Sequence, residues 1–115
     1  MESPVAPKSF NFALRIIELY KHLTSDKNEY VMSKQLLRSG TSIGANISES
    51  EHAQSKADFI TKMTIALKEA DETRYWLKLL AASDYLDTNE AESYLADCTE
   101  LIRMLSSIVK KSKTE

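Results

Sequence analysis

Residues 35–50 read QLLRSGTSIGANISES and contain both glycines of the 115-residue chain, Gly40 and Gly44. Because the two glycines are four residues apart, a helix with about 3.6 residues per turn presents them on the same side. Glycines on one side of a helix allow the backbone of a second helix to approach closely. The stretch therefore predicts a helix against which a neighbouring helix packs at short distance.

The rest of the sequence predicts an all-α protein with a single domain. The two prolines, Pro4 and Pro7, both lie at the N-terminal end. A β-rich chain needs turn residues about every 8–12 positions, and this sequence does not supply them. A chain of 115 residues is long enough for one hydrophobic core but not for two.

Composition limits the cellular setting and the class of partner. The single cysteine, Cys98, rules out an internal disulfide framework and is typical of a reducing cytosol. The N-terminus lacks the pattern of a signal peptide, and no apolar run approaches the roughly 20 residues that span a bilayer. A net charge of −2 gives no overall electrostatic case for nucleic-acid binding. We expect a cytoplasmic protein with no membrane segment.

Apolar periodicity and capping signals predict four helices joined by short connections. They are expected at residues 10–24, from the Asp26–Glu29 pair to about residue 52, at residues 56–83 and at residues 88–111. The start signals are Ser9 and the pairs Asp26–Glu29, Ser55–Asp58 and Asp87–Glu90. We expect an antiparallel up-down-up-down four-helix bundle over residues 9–112. A flexible N-terminal arm is expected over residues 1–8 and a C-terminal tail over residues 113–115.

Two of the predicted helices, the first and the third, carry more apolar surface than a monomeric bundle needs. Each helix of a bundle requires one apolar stripe, whereas these two have a second. Exposed stripes of this size favour aggregation unless another chain covers them. We therefore expect a homo-oligomer whose interface is formed by Phe12, Ile16, Leu19, Leu23, Ile65, Trp76 and Leu79. A monomer in which the first helix is simply the most buried remains the alternative.

The stretch at 35–50, followed by SKADFITKMTIALKEADETRYWLKLLAASDYL, resembles a family of small four-helix-bundle proteins. This family is found in the intervening sequences of bacterial 23S rRNA genes and includes the accessory variability determinant of diversity-generating retroelements. The resemblance is strongest over residues 31–86. It implies an antiparallel four-helix bundle that assembles as a homopentameric, barrel-like ring. The retroelement members are basic and bind nucleic acid and a reverse transcriptase, while most other members have no established activity.

The polar signature that the resemblance implies falls on Ser42, Asn46, Glu49, Ser55 and Phe59. The family often has a small or basic residue near Ser48 and a small one near Ser50, where this chain reads SESEH. This departure and the acidic total argue against direct binding to rRNA or DNA.

The signature residues of the second helix continue a polar line that begins at Arg38. Arg38, Ser42, Asn46 and Glu49 lie about one turn apart on the predicted helix. The structural interpretation is that these side chains bond one another, the backbone or a carboxylate across a helix–helix contact. The functional alternative is a surface that meets a partner when it is repeated around a ring.

Candidate catalytic and metal-binding groups are few. Glu49 and His52 form a Glu-x-x-His element, as in di-iron bundles, but the other histidine, His22, has Leu19 at the matching position. Cys98 lies on an apolar stripe and is expected to be a buried hydrophobic residue rather than a nucleophile. The sequence therefore predicts no catalytic residue, no cofactor and no metal site.

The sequence supports three hypotheses for function. The first is a non-enzymatic, ring-forming scaffold or interaction protein. The second is a nucleic-acid-binding accessory protein, with Lys110, Lys111 and Lys113 contacting phosphates if several copies bring these residues together. The third is a metal-dependent enzyme using Glu49 and His52.

Overall fold

The computed structural model describes residues 4–115, which form four α-helices and no strand. The helices are α1 (Val5–Ser25), α2 (Met32–Ser50), α3 (Lys56–Ala82) and α4 (Thr88–Thr114). Each helix packs on its neighbours in the chain, and α4 returns to contact α1. The bundle is an elongated body of 46 × 21 × 20 Å. Because the turns at residues 26–31, 51–55 and 83–87 are short, consecutive helices lie side by side and each turn reverses the direction of the chain. The predicted antiparallel four-helix bundle is confirmed.

The core of the bundle runs along its whole length and contains residues from all four helices. Its most completely buried large side chains are aliphatic, together with one threonine and the cysteine. They are Ile16, Leu19, Leu23, Leu36, Ile43, Leu77, Leu80, Leu101, Leu105, Val5, Thr73 and Cys98.

The face of α1 that packs in the core is the opposite of the predicted one. Phe12, Ile16, Leu19 and Leu23 were predicted to meet another chain, but each is at most 2% exposed within this one. The prediction that these four side chains face outward is wrong. Their stripe continues back through Ser9 to Val5 at spacings of three and four residues, so it is the longer of the two stripes of α1.

The N-terminal residues were expected to form an arm, but α1 is helical from Val5 onward. Residues 1–3 of the predicted arm lie outside the described residues. Pro4 occupies the cap position and Pro7 the third position of α1, where a backbone N–H has no partner within the helix, so neither proline disrupts it. Ser9 is therefore not a cap. Its hydroxyl is buried and donates to the carbonyl of Ala6 at 2.9 Å.

The start of α2 is capped by Glu29 alone, and the predicted pair with Asp26 does not form. The Glu29 carboxylate accepts hydrogen bonds from the backbone N–H groups of Val31, Met32 and Ser33 at 3.2, 3.1 and 2.7 Å. Asp26 instead follows the end of α1, where its carboxylate lies 2.8 Å from Nδ1 of His22. Since Glu29 is only 7% exposed, its carboxylate replaces the intrahelical partners that the first turn of α2 lacks.

The two later start signals are confirmed. The Ser55 hydroxyl accepts a hydrogen bond from the N–H of Asp58 at 3.0 Å and begins α3. Asp87 and Glu90 form a reciprocal capping box at the start of α4. Helix α4 extends to Thr114, so part of the expected C-terminal tail is helical.

The contact between α1 and α4 has charged groups along its edge, which we call the charged rim. Lys8 Nζ lies 2.5 Å from Oε1 of Glu100, and Arg15 Nη1 lies 2.5 Å from Oδ2 of Asp97. The guanidinium carbon of Arg15 also lies 4.2 Å from the ring centre of Tyr94. This is the least closely packed pair of neighbouring helices in the bundle.

The two glycines of α2 face α1, as the sequence predicted. A Cβ atom placed on Gly40 would lie 2.9 Å from Cγ2 of Ile16, which is closer than carbon atoms pack in protein interiors. A Cβ atom placed on Gly44 would lie 3.3 Å from Oγ of Ser9, a tight contact but a less severe one. The close approach of α1 and α2 therefore depends on Gly40 more than on Gly44.

We predict that Gly40→Ala destabilises the bundle and that Gly44→Ala does not. Overpacking of the rigid Ile16 side chain typically costs about 1–3 kcal/mol, which exceeds the gain of about 1 kcal/mol from higher helix propensity. At Gly44 a small shift of Ser9 leaves that propensity gain largely intact. Urea unfolding at a fixed protein concentration measures both variants. Equal stability of Gly40→Ala and the wild type would contradict the close approach at Ile16.

We also predict that Glu29→Gln lowers the free energy of unfolding at pH 7 by about 1 kcal/mol, the usual value of a helix cap. An amide has one acceptor oxygen, whereas the carboxylate uses both of its oxygens. Burial raises the pKa of Glu29, but the bonds from Ser33, Met32 and Val31 outweigh burial and hold this pKa below its usual value.

The lowered pKa of Glu29 fixes the pH dependence of this difference. Its stabilising contribution is present above the pKa of the unfolded chain and is lost as the pH falls through the lower, folded-state pKa. The gap between Glu29→Gln and the wild type should therefore be full at pH 7 and shrink in acid, as urea unfolding over a pH series would measure. Glu92→Gln, at an exposed position, is the control. A gap that stays constant into acid would refute the proposed cap.

Candidate interaction surface

Arg38 lies at the edge of α2 and joins this helix to α3. Its Nη1 atom lies 3.3 Å from Oε2 of Glu69, and its Nη2 atom bonds the carboxylate of Glu72. The indole N–H of Trp76 donates to the same Glu72 carboxylate at 2.9 Å. We call these four residues the α2–α3 network. Because the Arg38 side chain is 47% exposed, each ion pair stabilises the fold by less than about 1 kcal/mol, and the network chiefly aligns the two helices.

The remaining residues of the polar line also have structural partners. The Ser42 hydroxyl donates to the carbonyl of Arg38 at 2.6 Å, and the Asn46 amide donates to the carbonyl of Ser42 at 2.8 Å. Glu49 Oε1 lies 2.8 Å from Nζ of Lys62 on α3, and this hydrogen bond raises the pKa of Lys62. The geometry thus favours the structural interpretation of the line.

The family signature ends in the turn between α2 and α3. Ser55 caps α3, and Phe59 is half-buried against the core one turn later. Together with the polar line, these residues fix how α3 leaves the turn and how it packs on α2. The signature therefore describes the α2–α3 hairpin rather than a chemical site.

Cys98 is a buried, unreactive thiol. It is 0% exposed, and its Sγ atom lies 3.2 Å from the carbonyl oxygen of Ala70 on α3. Burial raises the pKa of Cys98 to about 12, so the thiol stays protonated at neutral pH. A protonated thiol without access to solvent is a poor nucleophile.

The histidine and acidic residues do not gather into a metal site in the part of the chain that the structure describes. No group of three or more His, Cys, Asp or Glu side chains within residues 4–115 has a spacing that would hold an ion. His52 is exposed just beyond the end of α2, and Glu49 is engaged by Lys62.

The three C-terminal lysines lie at the end of α4, where Lys110, Lys111 and Lys113 are exposed. Lys56, at the start of α3, reaches the same end of the bundle, where its Nζ atom bonds the carbonyl oxygen of Glu115. Four lysines are therefore grouped at one end of the molecule. Within residues 4–115 no helix is both long and apolar enough to cross a bilayer.

The exposed apolar surface lies on α1, on α3 and in the turn before α2. On α1 the Phe10 side chain is 65% exposed and Leu14 is 49% exposed. On α3, Ile65 and Leu79 are exposed as the sequence predicted, Trp76 is half-buried, and the neighbouring Tyr75 is 57% exposed. Tyr30 and Val31 are exposed in the turn.

The exposed face of α1 borders an apolar groove between α1 and α2 with a volume of about 450 Å³. Phe10, Ala13 and Ile17 form one wall, while Gly44 and Ala45 form part of the other. The absence of a side chain at Gly44 both allows the helices to approach and leaves this groove open. Gly44 thus shapes a surface groove as well as the helix packing.

The core face of α1 was predicted wrongly because the predicted helix began at residue 10 and so left out Val5 and Ser9, which extend the inward stripe. The outward stripe runs from Phe10 through Leu14 and Ile17 and then meets Lys21, a charged residue at the next position of the same spacing. The inward stripe stays apolar to Leu23. This difference in length was the signal that could have identified the core face.

Comparison with known proteins agrees with this architecture. The sequence matches the family described as 23S rRNA-intervening sequence protein over residues 1–107. A crystal structure from Bacteroides thetaiotaomicron VPI-5482, described as a protein with unknown function from the S23 ribosomal protein family, is 57% identical in sequence. The similarity covers 92% of this chain and 98% of that chain, with a TM-score of 0.91. A search of curated proteins gives no match.

The match over residues 1–107 includes α1, α2, α3 and most of α4, and the solved relative has the same bundle. The chain therefore belongs to the family of 23S rRNA-intervening sequence proteins.

Proposed function

We propose that the protein is a non-enzymatic interaction protein whose copies assemble into a ring. The observation that supports this function is the exposed apolar surface on α1 and α3, which includes Phe10, Leu14, Tyr75 and Leu79 at exposures between 36% and 65%. Grouped apolar side chains of this size are typical of surfaces that bind another protein. A second copy of the chain is a partner that is present wherever the protein is made.

The number of copies rests on the likeness to the family rather than on the exposed residues. The family resemblance implies a homopentameric ring, and we propose the same number here. The solved relative comes from a bacterium and is assigned to the S23 ribosomal protein family, and ribosomes lie in the cytosol, which supports a cytosolic location here.

The absence of an enzymatic role is part of the proposal. The solved relative is described as a protein of unknown function, so no reaction is inherited from it. The thiol of Cys98 is buried and protonated, and the polar line is engaged in structural bonds. These contacts support an interaction protein over a catalyst.

We predict that light scattering coupled to gel filtration gives the mass of five chains for the wild type. Phe10→Asp should reduce this mass while circular dichroism remains that of a helical protein, because Phe10 is exposed and contributes little to the core. Ser106→Asp, at an exposed position of α4, is the control and should leave the mass unchanged. A wild type with the mass of one chain would overturn the proposed assembly. An unchanged mass for Phe10→Asp would remove Phe10 from the interface.

A second candidate function is supported by the four lysines at one end of the bundle. As an accessory protein that binds nucleic acid, the ring would bring several copies of Lys110, Lys111 and Lys113 close together. Such clusters bind phosphates by displacing counterions. The net charge of −2 places this function behind the first.

We predict for this second function that a labelled single-stranded RNA binds more weakly as salt increases. Replacing Lys110, Lys111 and Lys113 together by Ala should reduce the slope of log affinity against log salt by about 0.7 for each phosphate that is no longer bound. The matched control replaces Lys27, Lys34 and Lys68, which are exposed elsewhere. Binding that does not respond to salt, or that both triple variants weaken equally, would exclude a role for this lysine cluster.

A further inference from the structure

The outer face of α1 carries a row of residues with the spacing of a helix–helix contact. Leu14, Ile17, Lys21 and Thr24 are separated by three, four and three residues, which places them along one line of the helix. We call this row the α1 seam. Leu14 is 49% exposed and the Lys21 side chain is 67% exposed, while Ile17 and Thr24 are half-buried. The seam is apolar toward the start of α1 and polar toward its end.

A second row with the same spacing lies on α3. Glu69, Glu72, Trp76 and Leu79 are also separated by three, four and three residues. We call this row the α3 seam. Leu79 is 36% exposed, and the side chains of Glu69 and Glu72 are 19% and 36% exposed. This seam is acidic toward the start of α3 and apolar toward its end.

When the two seams are aligned residue for residue, their chemistry matches in the antiparallel direction. When α1 of one copy and α3 of the other run antiparallel, apolar residues face apolar residues and Lys21 faces an acidic residue. Leu14 is then opposite Leu79, Ile17 opposite Trp76, Lys21 opposite Glu72, and Thr24 opposite Glu69. When they run parallel, Leu14 meets Glu69, Ile17 meets Glu72 and Lys21 meets Trp76. The parallel arrangement buries Lys21 against Trp76 without an acidic partner and covers two carboxylates with apolar side chains, so the antiparallel arrangement is favoured.

We propose that the α1 seam of one copy packs antiparallel on the α3 seam of a second copy. This inference rests on the proposed function and specifies its contact surface. Because the two seams differ, each copy presents one seam to each neighbour, which is a head-to-tail contact. Head-to-tail contacts leave a free seam at each end of the assembly unless the last copy binds the first and closes a ring.

The α2–α3 network prepares the α3 seam for burial. A carboxylate covered by another chain needs hydrogen-bond partners. Glu72 already accepts from Arg38 and from the indole of Trp76, and Glu69 lies 3.3 Å from Arg38. Lys21 of the second copy adds a donor on the side that faces solvent. The bonds that tie α2 to α3 thus also hold the acidic half of the seam in position.

Mixing two blocked variants tests the proposal directly. Leu14→Asp blocks only the α1 seam and Leu79→Asp blocks only the α3 seam, so each variant alone should have the mass of one chain. An equimolar mixture should form a two-chain complex through the single pair of intact seams, as sedimentation velocity would measure. A control mixture of Leu14→Asp with a Leu14→Asp/Leu79→Asp double variant retains no complementary pair and should stay at one chain.

Cross-linking in otherwise native assemblies tests the direction of packing. Leu14→Cys/Leu79→Cys, treated with a short bis-maleimide, should give a ladder of linked chains on a denaturing gel. Leu14→Cys/Glu69→Cys places the thiols as a parallel contact would and should give none. Cys98 is 0% exposed and stays unmodified in the folded protein. A ladder from the second variant only, or from neither, would overturn the antiparallel contact.

The outcomes separate this inference from the proposed function. If the wild type is a monomer, both the proposed ring and the contact between the two seams are refuted. If the wild type is oligomeric but the mixture forms no two-chain complex and the first cysteine variant gives no ladder, the ring survives and the seams are excluded.

Discussion

The close approach of α1 to α2 at Gly40 is the contact on which the rest of the bundle depends. The Ile16 side chain occupies the space that a Cβ atom of Gly40 would need, and Ser9 lies over Gly44 one turn along. This contact turns the stripe from Val5 to Leu23 inward. Once that stripe is buried, the other apolar face of α1, with Phe10 and Leu14, is necessarily presented to solvent. Core packing on one side of α1 therefore determines which apolar side chains are exposed on the other.

The sequence predicted the fold well because its signals were local. Capping at Ser55 and Asp87 depends on residues three positions apart, and the glycine spacing in α2 depends on the helical repeat. The inward face of α1 could not be chosen within the predicted helix 10–24, because both stripes are largely apolar there. The role of Glu29 was also missed, because its three N–H partners follow a residue with a positive φ of 55° at Asn28, a turn that the sequence pattern did not indicate.

The polar line of α2 and the cap residue Ser55 have structural roles in this chain. Arg38 and Glu49 each bind a residue of α3, and Ser55 starts that helix. Each such bond stabilises the fold only slightly because the groups are partly exposed. Their combined effect is to fix the relative position of α2 and α3 along the helix axes.

The charged rim between α1 and α4 also has a consequence for the order in which the chain folds. Three of the four helix contacts join helices connected by a short turn, whereas α1 and α4 meet only after the whole chain has returned. Most of the entropy cost of closing a long loop is therefore concentrated in this one contact. Lys8 and Arg15 form ion pairs with α4 across this contact. A bundle with so many near-neighbour contacts belongs to the topologies that fold fastest.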